Sequence, residues 1–113
     1  MDDATKIWLY DILNSIKEID SFYEDKPKIF EEYQNDIKTK RAIERNIEII
    51  GEAMGRILKE NSSIKITNSR KMVDVRNRII HGYDSVSDDL IWGIVIRNLP
   101  ILKIEILEVL KMS

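Results

Sequence analysis

The sequence predicts an all-α fold, an up-and-down bundle of four main helices plus one short helix. Three observations predict it. Apolar residues recur at helical spacing in two long stretches, and a third stretch is apolar almost all round. Only four Gly and two Pro punctuate the 113 residues. A balance of 43% hydrophobic to 34% charged residues belongs to a chain with a packed core, not to a disordered or turn-rich one. The length suits a single domain over 1–113 and leaves no room for a second core.

The first helix follows from Leu9, Ile12, Leu13, Ile16, Ile19 and Tyr23, which share one face between residue 3 and about residue 25. Pro27 interrupts it. Because proline is tolerated in a first helical turn, KPKIFEEYQND reads as the short second helix. From about 36 to 60, Ile43, Ile47, Ile50, Met54 and Ile57 form a clear stripe. Gly51 and Gly55 stand one turn apart on the same helix. Glycine costs roughly 1 kcal/mol there relative to alanine, so the pair is expected to admit another backbone at close range.

The turn-like run NSSIKITNS (61–69) offers Thr67, Asn68 and Ser69 as N-caps for a helix through MVDVRNRII, and His81 and Gly82 mark its end. After YDSVSDD, Ser87 caps a last helix from about 88 to 111, with Asp88 and Asp89 in its first turn. That helix is apolar almost all round, from Leu90 and Ile91 to Val109 and Leu110. It must therefore be central or contact a second chain, and a homodimer is expected.

Composition excludes much chemistry. With no cysteine, a disulfide framework, a thiolate zinc site and a catalytic cysteine are ruled out, and a reducing, cytoplasmic setting fits best. The acidic start MDDATKIW and the lack of any bilayer-spanning apolar run indicate neither export nor membrane insertion. Gly51, Gly55, Gly82 and Gly93 match no phosphate-loop spacing. The paired acids Asp2–Asp3, Glu31–Glu32 and Asp88–Asp89 read as caps or surface charge, so no metal and no cofactor is expected.

Charge is uneven. Residues 1–25 carry two Lys against seven Asp or Glu, whereas residues 65–78 carry Lys65, Arg70, Lys71, Arg76 and Arg78 against Asp74 alone. A basic patch on an acidic chain fits a local anionic ligand, though a solvated face explains it as well. Overlapping the end of that patch, RNRIIHGYD gathers Arg76, Asn77, Arg78, His81 and Tyr83 at a helix end. A lone histidine is more often structural. Here it stands beside an arginine able to grip phosphate, and the two are the minimum equipment for metal-free RNA cleavage by 2′-hydroxyl attack. In a regular helix a five-residue step leaves Arg76 and His81 about 140° apart. Their convergence needs either a loosened helix at 80–82 or a second chain, and a dimer would also supply the two histidines that an acid and a base require.

These residues resemble the HEPN domains, and within them the HepT-like toxins of bacterial and archaeal toxin–antitoxin pairs. The resemblance rests on Arg76, Asn77, His81 and Tyr83 at their spacing, on RAIERNIEIIGEAMGRI (41–57), and on the last helix with its Trp92 and its Asn98-Leu99-Pro100 break. It covers roughly two-thirds of the chain and is poor at 26–38 and 61–70. It implies a helical dimer whose two motifs face one cleft, and a metal-independent endoribonuclease of a type VII-like toxin–antitoxin pair, with tRNA among the candidate substrates. Arg76 and His81 would be catalytic, with Asn77, Arg78 and Lys71 as catalytic support or RNA-binding residues. The implied partner is a minimal nucleotidyltransferase antitoxin that transfers AMP to Tyr83. The alternative is a non-catalytic HEPN subunit that binds such a nucleotidyltransferase.

Overall fold

The computed structural model describes residues 1–82 and 86–111, so Tyr83 lies outside the described residues. All regular structure among them is helical: α1 (Asp3–Ser21), α2 (Phe30–Gln34), α3 (Ile37–Glu60), α4 (Ser69–His81), α5 (Asp88–Gly93), a π-helical turn at Ile94–Asn98, and α6 (Leu99–Lys111). The bundle of four main helices and one short one is present, with the last main helix divided. No helix among the described residues is long and apolar enough to cross a membrane.

Helix α1 begins where Asp2 accepts from the Thr5 N–H at 2.7 Å, and it buries Leu9, Ile12, Leu13, Ile16 and Ile19. It stops at Ser21, short of the expected residue 25. Phe22 and Tyr23 donate three residues back, to Ile19 and Asp20, so the chain tightens and leaves the helix before Pro27. Pro27 in turn sits ahead of α2, not in its first turn, because Ile29 is extended and α2 starts only at Phe30.

A five-residue helix is not stable alone, so α2 depends on packing. Trp92 from α5 stacks on Tyr33 with ring centroids 5.0 Å apart and meets Phe30 at 6.2 Å and Tyr23 at 5.9 Å. Such pairs add about 0.5–1.5 kcal/mol each beyond area burial. Burial, then the nearby Asp88 and Glu44 carboxylates, pushes the Tyr33 phenol above the ordinary tyrosine range, so the cluster stays uncharged.

Helix α3 is capped by Asp36, which accepts from the Thr39 N–H at 3.1 Å and its hydroxyl at 2.7 Å. It packs against both α1 and α4, with Ile43, Ile47, Ile50, Met54 and Ile57 fully buried. Of the three candidate caps for α4, Asn68 holds the position, in a left-handed conformation (φ 61°) and without a side-chain capping bond. The turn is held from outside: the Thr67 N–H donates to both Glu105 oxygens (3.1 and 3.2 Å) and its hydroxyl to Oε2 at 2.6 Å. This contact fastens the start of α4 to α6.

The chain is helical over 88–111 as expected, and the break at Asn98-Leu99-Pro100 takes the form of a π-helical turn over Ile94–Asn98. With no N–H to offer Ile96 and a ring that crowds that carbonyl, Pro100 forces the ladder to widen, and the Leu99 N–H bonds to Ile94 five residues back. Ser87 caps α5 as expected, accepting from the Leu90 N–H at 3.1 Å, and Asp88 pairs with Lys40 at 3.0 Å. The last helix is not central. It packs on α1, burying Leu99, Leu102 and Ile106, and leaves Ile101, Ile104 and Leu107 at 48%, 60% and 45% exposure.

Candidate active site

Arg76 is placed by the crossing of α3 and α4. A Cβ on Gly51 would lie 2.2 Å from Arg76 Cβ and 2.6 Å from the Met72 carbonyl oxygen, so α4 seats directly on the bare backbone of Gly51. Gly55 meets only Val73, at an ordinary 3.8 Å. Of the glycine pair, one member carries the close approach.

The half-buried Arg76 side chain donates from Nη1 to Asn77 Oδ1 at 3.3 Å. Its Nε is buried with no hydrogen-bond partner among the described residues.

His81 ends α4 in solvent, and Gly82 follows in a left-handed conformation (φ 66°) whose N–H closes the helix onto Arg78 and Ile79. The His81 Nδ1 lies 2.7 Å from the Asn77 carbonyl oxygen. A carbonyl can only accept, so Nδ1 carries a proton, and the lone pair of the neutral ring is on Nε2. Asn77 thus orients both partners, Arg76 through its side chain and His81 through its backbone.

The helix stays regular through His81, so the separation of about 140° between Arg76 and His81 stands. Loosening at 80–82 is not how the two converge. Arg78 is exposed one turn before His81. Lys71 sits in the first turns of α4, ten residues from His81, a rise of about 15 Å along the helix. It can attract a polyanion, but not touch the atoms that His81 reaches from the same chain. Lys65, Arg70, Lys71 and Arg78 take part in no ion pair among the described residues, so the basic patch keeps its field. No three His, Cys, Asp or Glu side chains gather into a metal-binding group among those residues.

No chemical motif in the sequence marks Arg41 and Glu44. They stand on α3 against the end of α4, lining a groove with Arg78, Ile79, Gly82 and Val86. Both lie in the 41–57 segment, but nothing local ties them to a motif more than thirty residues further on.

Comparison with known proteins converges on one family. A profile described as ribonuclease HepT-like matches residues 12–109. A "Putative RNase" of Methanocaldococcus jannaschii is 36% identical over 108 residues, covering 94% of this chain and 87% of that protein. A "Probable ribonuclease HepT" of Thermococcus cleftensis is 33% identical over 104 residues, covering 91% and 93%. No solved structure matches the chain.

Proposed function

Because the chain belongs to the HepT-like ribonuclease family, we propose that it is the toxin of a type VII-like toxin–antitoxin pair, a metal-independent endoribonuclease acting in the cytoplasm. The observation that carries this reading is the double role of Asn77, which holds Arg76 and fixes the His81 tautomer. His81 Nε2 takes the proton from a ribose 2′-hydroxyl, and the oxygen attacks the adjacent phosphorus. Arg76 stabilises the charge on the phosphoryl oxygens. Protonation of the departing 5′-oxygen releases a 5′-hydroxyl end and leaves a 2′,3′-cyclic phosphate.

That last proton needs a second acid. Each chain has one histidine, so His81 of a second copy supplies it, and the homodimer brings the two motifs to one cleft. The exposed Ile101, Ile104 and Leu107 favour association of this kind, since they form a row at steps of three on one helix. Purified protein is expected to cut RNA, with tRNA as the first substrate to try, in the presence of EDTA. Light scattering should give twice 13.3 kDa. Cleavage that stops in EDTA and returns with a divalent metal would overturn the mechanism. A protein that never cuts, yet co-purifies with a minimal nucleotidyltransferase, is the non-catalytic binding subunit.

Regulation falls to Tyr83, which follows Gly82 directly and sits two residues beyond His81. AMP transferred to its phenol by that nucleotidyltransferase would add a negatively charged phosphodiester to the motif that carries Arg76, Arg78 and Lys71, and so oppose the charge that attracts RNA. Co-expression with the partner should raise the mass by AMP units in wild type and not in Tyr83→Phe, while the variant still cuts. Equal neutralisation of the Tyr83→Phe protein would assign inhibition to complex formation instead.

A further inference from the structure

Beside the site, the first turns of α3 and the last turn of α4 enclose a groove of about 200 Å³. Its walls are Arg41 and Glu44 from α3, Arg78, Ile79 and Gly82 from the end of α4, and Val86 from the segment before α5. Arg78 and Gly82 flank His81 in the chain, so the groove starts within a helical turn of the proton-transfer group. The cleavage step itself does not use it.

Its chemistry is divided in a way that suits one nucleotide. Arg41 is 77% exposed and Arg78 is exposed, which puts two guanidiniums at the lip. Ile79 and Val86 are half-buried and offer an apolar floor to a flat ring. At Gly82 no described side chain or backbone atom outside its chain neighbours lies within 4 Å of where a Cβ would point. Glu44 is different in kind. Its side chain is only 22% exposed, and Arg41 Nη1 pairs with its Oε1 at 3.0 Å.

A phosphate is repelled by Glu44 and attracted by the lip, whereas a base is attracted by Glu44 only if it presents N–H groups. The Watson–Crick edge of guanine presents two adjacent donors, N1–H and the N2 amine, which match the two oxygens of a carboxylate. Adenine and cytosine present one amine beside an acceptor, and uracil one N–H between two carbonyls. We infer that this groove is a base-reading subsite for one guanine nucleotide of the RNA, with Glu44 accepting from the guanine edge and Arg41 and Arg78 holding its phosphate.

The inference rests on the ribonuclease reading, but its test requires no cleavage. The probes are 2′-O-methyl hexauridylate, which has no attacking hydroxyl, and the same oligonucleotide with a single guanosine at each position in turn. Fluorescence anisotropy with the wild-type dimer should show one position at which guanosine tightens binding about tenfold or more. Inosine at that position, lacking the N2 amine, should lose most of the gain. Glu44→Gln should bind the guanosine and uridine probes alike. Arg41→Ala should weaken both and reduce the slope of log affinity against log salt by about 0.7, one phosphate contact on a single strand. Guanosine and uridine probes that bind equally at every position, or a preference that survives both Glu44→Gln and inosine, would overturn the subsite and leave the ribonuclease reading standing. Wild-type protein that binds none of the probes would overturn both.

Discussion

His81→Ala is expected to lower RNA cleavage by about 10²–10⁴, the usual loss when one positioned proton-transfer group is removed. The fold should not change, because His81 is exposed at the end of α4 and contributes nothing to the core. Arg76→Ala should cause a comparable loss for a different reason, removal of the charge that stabilises the pentacoordinate phosphorus. The two defects differ in how they respond to Asn77. Its side-chain oxygen serves Arg76, whereas its backbone carbonyl serves His81. Asn77→Ala therefore withdraws support from the arginine alone and should fall between wild type and Arg76→Ala. The check is single-turnover cleavage in EDTA by each variant, with light scattering to confirm an unchanged mass. Cleavage by His81→Ala at the wild-type rate would mean that another group, or a contaminant, transfers the proton.

The largest effect on stability is expected from the smallest substitution. Gly51→Ala adds one carbon where Arg76 Cβ would be 2.2 Å away and the Met72 carbonyl oxygen 2.6 Å away. Neither neighbour is the far end of a flexible chain, so α4 as a whole must move off α3. Overpacking a tight interior costs about 1–3 kcal/mol and occasionally more, and the contact with a backbone oxygen puts this case at about 3 kcal/mol. That is a large share of the roughly 5–15 kcal/mol that holds a domain folded. Gly55→Ala is the control. Its new carbon would meet only Val73 Cγ2, at 3.8 Å, and replacing glycine in a helix interior returns up to about 1 kcal/mol. Urea melts should therefore move in opposite directions for two alanines one turn apart on the same helix. Because the displaced atoms belong to Arg76, the fraction of Gly51→Ala that folds should also cleave poorly. A Gly51→Ala protein with wild-type midpoint and rate would show that α4 does not depend on this close approach.

What the sequence by itself determined were the properties set by neighbours along the chain. The stripes through Leu9 to Ile19 and Ile43 to Ile57 are the buried faces of α1 and α3, because a repeat of 3.6 residues puts them on one side whatever they pack against. The stop at Gly82 and the cap at Ser87 were legible too, since a left-handed residue and a side-chain oxygen act within one turn of themselves. Arg76, Asn77 and His81 were legible as neighbours near the end of one helix, which is where α4 holds them. Tertiary structure decided the rest. It selected Gly51 over Gly55 as the seat of α4, held the start of α4 on Glu105, stacked Trp92 on Tyr33, and set Arg41 and Glu44 against Arg78. Each of these joins side chains from elements remote in sequence, and the contact exists only at one crossing and one rotation of the helices. Helical periodicity states which face of a helix is buried, but leaves open which residue of another helix will lie opposite it.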